Sequence, residues 1–241
     1  MGSNELVLAF DTSHAKGSAA VARGEEILCE IVFDAADTHS ATLMPAIDSA
    51  LSIAGTDISS IDLFAVTIGP GSFTGLRIGL ATAKGFAAVR RRPVAVMTSL
   101  ELLAAAFPYA ERMVCPVIDA YKGEVYAALY DTRSGSPVEL VPPFAAEPAE
   151  AGAMLRGHGP LILCGTGLAR YAGRLLGAAP EGSRAAGPKW SIPSAALLAL
   201  RAAYLEPAAY GGLASLEPLY IRPPDAKLPP EARLRRGGNG T

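Results

Sequence analysis

Leu6-Val7-Leu8-Ala9-Phe10-Asp11-Thr12-Ser13 returns in altered form as Val114-Cys115-Pro116-Val117-Ile118-Asp119. Each is a short apolar run of strand length that ends on an aspartate. The first aspartate leads through Lys16-Gly17 to a second apolar run at 19–22. The second leads through a turn reaching Gly123 to a run at 125–130. Strand, aspartate, turn, glycine, strand, repeated once, predicts an α/β chain built from two related halves.

Working outward, a third run at 27–33 follows Arg23-Gly24-Glu25 and completes a β-meander. Helical spacing then takes over, with Leu43, Ile47, Ala50, Leu51 and Ala54 on one face and Gly55 as the stop. Pro45 requires that helix to begin near residues 40–42, which keeps the proline close to the first turn. A strand is expected at 63–68, a helix at 74–90 stopped by Pro93, a strand at 94–97 and a helix at 100–107. In the second half, a strand at 161–164 precedes the turn Gly165-Thr166-Gly167, with a helix at 193–205 and a last strand at 216–221. The expected domains are 1–108 and 109–222, with a frayed tail at 223–241.

A chain of 241 residues suits one large or two small domains at ~150 residues each. Half of its residues are hydrophobic and 18% are charged, which excludes wholesale disorder. The net charge of −2 gives no global basic field, so any nucleic-acid role needs a local patch or a partner. Cys29, Cys115 and Cys164 lie far apart without a Cys-x-x-Cys pair, which argues against a zinc ribbon or disulfide scaffold and fits a reducing compartment. The first residues carry no basic n-region, and no apolar run approaches the ~18 residues of a membrane span. A soluble, cytoplasmic protein is the expectation.

Gly69-Pro70-Gly71-Ser72-Phe73-Thr74-Gly75 joins a strand to a helix start, a geometry in which N–H groups can cradle an anion. Gly75-Leu76-Arg77 stands where a P-loop needs Gly-Lys-Ser/Thr, and Pro70 and Thr74 stand where a nucleophile elbow needs glycines. A sharp strand-to-helix turn is the simpler reading. In the following helix Gly75, Gly79, Ala83 and Ala87 recur every four residues, a ridge almost without side chains. Such a ridge serves close packing, either on the protein's own sheet or on another backbone. With Phe86 beside it, and Leu43, Met44, Ile47 and Leu51 on the preceding helix, the pair forms a candidate docking platform for another subunit.

Asp11 and Asp119 either hold a metal–phosphate or simply favour turns. His14, His39 and His158 form no pair at helical metal-ligand spacing, and nothing marks a nucleophile.

The strings Leu8-Ala9-Phe10-Asp11-Thr12-Ser13, Thr38-His39-Ser40, Leu43-Met44-Pro45 and above all Gly69-Pro70-Gly71-Ser72-Phe73-Thr74-Gly75-Leu76-Arg77-Ile78-Gly79 resemble the bacterial TsaB (YeaZ) family. So do Ile118-Asp119-Ala120-Tyr121-Lys122-Gly123-Glu124-Val125-Tyr126 and Glu217-Pro218-Leu219-Tyr220-Ile221-Arg222. The resemblance implies the ASKHA fold of actin, sugar kinases and Hsp70, a duplicated two-domain α/β fold of RNase H-like mixed sheets flanked by helices. It implies a non-catalytic subunit in making N6-threonylcarbamoyladenosine at the tRNA adenosine beside the anticodon. Such a subunit pairs with the paralogue TsaD, which carries a metal-binding His-x-x-x-His, and is joined by the ATPase TsaE. ATP and a divalent metal then belong to the partners, and tRNA is reached only through the complex. In isolation the same face can meet a second copy of the chain, and no membrane contact is implied.

On this reading the partner interface comprises Leu43, Met44, Ile47, Leu51, Gly75, Gly79, Ala83, Phe86 and Ala87. Asp11, Thr12, Ser13, Asp119, Gly165 and Gly167 are the vestige of a nucleotide site. The rival readings are a stand-alone ASKHA kinase or ATPase using Asp11 and Asp119, and a glycoprotease-type hydrolase.

Overall fold

The computed structural model describes residues 4–35, 39–207 and 210–222. The first three strands, β1 (Leu6–Asp11), β2 (Lys16–Arg23) and β3 (Glu26–Asp34), form the expected antiparallel meander, with Leu6 opposite Arg23 and Asp11 opposite Ser18. β4 (Leu63–Thr67) and β5 (Val94–Met97) add in parallel on the far side of β1, giving the order β3-β2-β1-β4-β5. The second half repeats this plan with β6 (Met113–Asp119), β7 (Val125–Asp131), β8 (Val138–Ala146), β9 (Leu161–Cys164) and β10 (Arg184–Ala185), in the order β10-β9-β6-β7-β8. In each sheet the first strand is central, with two antiparallel neighbours on one side and two strands in parallel succession on the other. The duplication visible in the sequence is therefore a duplication of topology.

β1 is apolar without alternation because both of its faces are covered. On one face α1 (His39–Ile53) and α2 (Phe73–Arg90) pack side by side, placing Leu43, Ile47, Leu80, Ala83 and Ala87 against Leu8, Phe10, Phe64 and Val66. The other face carries Ala9, Ala20, Ala22, Ala65 and Ala95, small side chains that let α6 (Ala195–Ala202) approach with Ala195, Ala199 and Ala202. α6 comes from the second half. Conversely α3 (Ser99–Ala105), which follows β5, sets Leu100, Leu103 and Ala104 against Val114, Ile118 and Tyr130 of the second sheet. A boundary at residue 108 separates the two sheets, but each half supplies a helix to the other's core.

Several expectations need correction. α1 starts at His39, so Pro45 lies in the helix interior rather than its first turn. It is tolerated there because Pro45 and Ala41, whose carbonyl loses its partner, are both exposed and solvent can replace the bond. The segment 216–221 is not a strand; the described backbone bond it makes to a strand end is Leu219 N–H to Ile68 O, 2.7 Å. The C-terminal helix is α6, shorter than 193–205 and capped by Ser194, whose Oγ accepts from Leu197 N–H. β8 carries Pro142 and Pro143, which an edge strand can hold and which disguise it as a loop. α4 (Pro148–Met154) and α5 (Leu168–Ala178) complete the second half. The predicted tail at 223–241 lies outside the described residues.

Candidate functional site

The two aspartate-tipped strands and the α1/α2 pair are the places where the sequence points to function. At the first tip Asp11 is fully buried. Its Oδ1 accepts from Ser13 Oγ at 2.7 Å, from Ser13 N–H at 3.3 Å and from the Thr67 hydroxyl, while Oδ2 is enclosed without a hydrogen-bond partner. Burial raises the carboxyl from 3.8 to about 6, and the Thr67 and Ser13 hydrogen bonds offset only part of that rise. Ser13 Oγ also lies 2.7 Å from His14 Nδ1. This trio is not a hydrolase triad. The serine sits between the carboxylate and the imidazole, whereas a triad needs the imidazole in the middle, and Ser13 is 1% exposed.

The glycine turn after β4 closes over this tip. Ser72 N–H donates to Ser13 O at 2.7 Å, and Thr12 Oγ1 donates to Gly75 O at 2.8 Å. A Cβ on Gly71 would stand 2.2 Å from Ser13 O, and one on Gly79 would stand 2.4 Å from Thr12 Oγ1. Gly71 thus serves backbone-on-backbone contact, and Gly79 makes room for the Thr12 hydroxyl. Two donors at the helix start are engaged within the chain, Ser72 N–H by Ser13 O and Gly75 N–H by Ser72 Oγ. Asp11, Thr12 and Ser13 are sealed from solvent, and their arrangement does not fit a metal–phosphate cradle.

At the second tip Asp119 is partly exposed. Its Oδ1 accepts from Tyr121 N–H at 2.8 Å, and its Oδ2 lies 3.9 Å from Arg170 Nη1. The turn then runs through positive φ at Tyr121, Lys122 and Gly123. Gly165 and Gly167 do not face an open site either. Their Cβ atoms would stand 2.4 Å from Val117 O and 2.8 Å from Val117 Cγ1, and Gly167 N–H donates to Val117 O at 2.9 Å. The six residues expected to share a nucleotide site therefore fall into two separate turn-and-lid arrangements. Among the described residues no group of three or more His, Cys, Asp or Glu could hold a metal ion.

The docking platform also changes. Gly75, Gly79, Ala83 and Ala87 are buried, as are Leu43, Ile47 and Leu51, all against the first sheet and its surroundings. They cannot touch a partner because they already form this chain's core. Of the nine proposed interface residues only Met44 is exposed, and Phe86 is half-buried and stacked on Phe64. The outward face of α2 instead presents Phe73, Arg77, Ala81, Gly85 and Val89, and that of α1 presents Met44 and Ile53. A second small-residue stripe, Ala81-Gly85-Ala88, is thus the solvent-facing one, and a Cβ on Gly85 would meet nothing within 4 Å. Sequence reasoning missed it because both stripes repeat at helical spacing. The distinguishing signal is their company: Leu76 and Leu80 flank the buried ridge, whereas Arg77 and Lys84 flank the outward one.

Residues 33–151 match the family described as TsaD, tRNA N6-adenosine threonylcarbamoyltransferase. The chain is 36% identical over 139 residues to the tRNA threonylcarbamoyladenosine biosynthesis protein TsaB of Bacillus subtilis, covering 56% of this chain and 59% of that protein. The chain spans between about half and three-fifths of the length of the curated relatives it matches first. Among solved structures, YeaZ from Pseudomonas aeruginosa superposes with a TM-score of 0.75 at 27% identity, covering 90% of this chain and 99% of that one. At the level of fold alone, component A of the Acidaminococcus fermentans (R)-2-hydroxyglutaryl-CoA dehydratase superposes with a TM-score of 0.50 at 12% identity, over 87% of this chain and 99% of that one. The duplicated sheets flanked by helices are those of the ASKHA fold.

Proposed function

The chain belongs to the TsaB/YeaZ family, and from that premise we propose that it serves tRNA threonylcarbamoyladenosine biosynthesis as a non-catalytic docking subunit. The observation that carries this reading is the outward face of α1 and α2. Met44 and Ile53 of α1 and Phe73 and Val89 of α2 are large apolar side chains left exposed on a helix pair whose inner face is taken by the first sheet. The partner is a TsaD-type catalytic paralogue, joined by a TsaE-type ATPase. ATP and the divalent metal reside in those partners, tRNA is met only in the complex, and the assembly works in the cytoplasm. The subunit contributes binding energy to one conformation of its partner rather than groups to the reaction.

A sealed Asp11 leaves the stand-alone kinase reading without its first aspartate, and the order of Asp11, Ser13 and His14 leaves the hydrolase reading without a nucleophile. The test is a pair of helix α2 variants. Gly85→Leu enters open space, so it should keep the wild-type melting temperature and lose co-purification with the paralogue. Gly79→Leu collides with Thr12 and should fail to fold. Retention of Gly85→Leu and Phe73→Asp by the paralogue at wild-type affinity would remove the docking assignment.

A further inference from the structure

Residues 216–222 form no strand, yet they touch both halves of the molecule. On the first half, Leu219 N–H donates to Ile68 O at 2.7 Å, immediately beyond β4. The Tyr220 ring packs on Phe73 with centroids 5.5 Å apart, and its hydroxyl accepts from Arg77 Nε at 3.3 Å. The Arg77 guanidinium in turn lies 3.7 Å over the Phe73 ring. Two residues further on, the chain has reached the second half. Arg222 pairs with the Glu124 carboxylate, donates from Nη2 to Ala120 O at 2.7 Å, and stands 5.5 Å from the centre of the Tyr126 ring. Ile68 follows the carboxyl end of β4 and Ala120 follows that of β6, so the segment runs from the rim of one sheet to the rim of the other.

We infer that residues 216–222 act as a clasp that sets the angle between the two halves, and that this clasp shares its first anchor with the docking face of α2. The anchors differ in kind. The first combines a backbone hydrogen bond with a tilted pair of rings and the Arg77 guanidinium that touches both. The second joins one Arg222 bond to the Ala120 carbonyl with an ion pair between side chains that are each about one-third exposed, 34% for Arg222 and 36% for Glu124. Ionic strength screens the Arg222–Glu124 pair, the ion pair of opposite charges in the clasp, and leaves the Leu219–Ile68 backbone bond, so the clasp releases first at Arg222. Phe73 and Arg77 hold Tyr220 and also stand on the outward face of α2. A subunit seated on that face takes Arg77 from Tyr220 and loosens the clasp, so docking and the angle between the halves are linked. This second clause rests on the docking reading; the clasp itself does not.

The experiment is double electron–electron resonance on the full-length chain, with Cys29→Ser and labels at Glu26→Cys and Arg174→Cys, exposed positions in the two halves and off α1 and α2. Wild type should give one narrow distance distribution. Arg222→Ala should broaden it and move its mean, high salt should move wild type in the same direction, and Glu124→Arg with Arg222→Glu should restore it. If neither Arg222→Ala nor Tyr220→Ala alters the distribution, there is no clasp. Adding the TsaD-type paralogue should broaden the wild-type distribution. A bound paralogue that leaves it unchanged overturns the linkage, whereas a paralogue that does not bind overturns the docking reading and leaves the lone-chain result standing.

Discussion

Asp11 and Asp119 close the central strands of two sheets with one topology, but their surroundings differ. Around Asp11 the turn is short, Thr67 and Ser13 converge on one carboxylate oxygen, and the Gly69–Ser72 turn seals the tip. Around Asp119 the turn is open, the side chain caps Tyr121 N–H, and Arg170 approaches from α5. In both halves a glycine turn from the next parallel strand presses onto the end of the central strand, Gly71 on Ser13 just past β1 and Gly165 on Val117 within β6. A duplicated sequence thus preserves where an aspartate sits, while the neighbouring loops decide whether it is a buried acid or a solvated cap.

The comparison can be broken first at the glycines. Gly165→Ala combines a Cβ 2.4 Å from Val117 O with a φ of +102°, and should cost about 4 kcal/mol in urea unfolding. Gly71→Ala, 2.2 Å from Ser13 O without a positive φ, should cost about 2–3 kcal/mol. A wild-type unfolding midpoint for either would mean that the turn is not seated on its strand.

The next effect is a dependence on pH. Folding raises Asp11 from 3.8 to about 6, so the folded state keeps this proton where the unfolded chain has lost it. Stability from this group therefore falls as pH rises between those values and is flat above, by about 3 kcal/mol in total. Asp11→Asn keeps the Oδ1 acceptor and removes the charge, so chemical denaturation across pH 4–7 should lose that slope. An unchanged slope would show that Asp11 ionises as freely as in the unfolded chain.

Ser13→Ala takes away one of the bonds that favour the Asp11 carboxylate, so it should cost about 1–2 kcal/mol at neutral pH and move the Asp11 transition upward, visible by carboxyl NMR. The smallest effect belongs to the second tip. Asp119→Asn keeps an acceptor for Tyr121 N–H and loses a long, partly exposed contact with Arg170, so it should stay within about 0.5 kcal/mol of wild type. A loss as large as that of Ser13→Ala would make the two tips equivalent after all.

Much of this architecture is legible in the sequence. The meander, α1, α2 and the repeated strand–aspartate–turn all follow from apolar periodicity and turn residues, which are local properties. β8 is hidden by its two prolines, and 216–221 reads as a strand because its apolar residues are spent on the two cores, Leu216 on the first and Ile221 on the second, without a ladder. The candidate site was less legible. Gly75, Gly79, Ala83 and Ala87 announce close packing, but a helix carrying two small-residue stripes does not say which one faces its own sheet.

The order of residues by itself determined the two related halves, their central strands and the helix pair, because hydrophobic spacing and turn chemistry act between near neighbours. Only the tertiary structure decided that α3 and α6 are exchanged, that Asp11 is shut away while Asp119 is not, and that residues 216–222 bridge the rims. Those outcomes depend on contacts between segments far apart in the chain, such as Ser18 Oγ with Pro193 O across 175 positions. Packing volume and hydrogen-bond geometry settle such contacts together across the whole chain, and no local pattern encodes them.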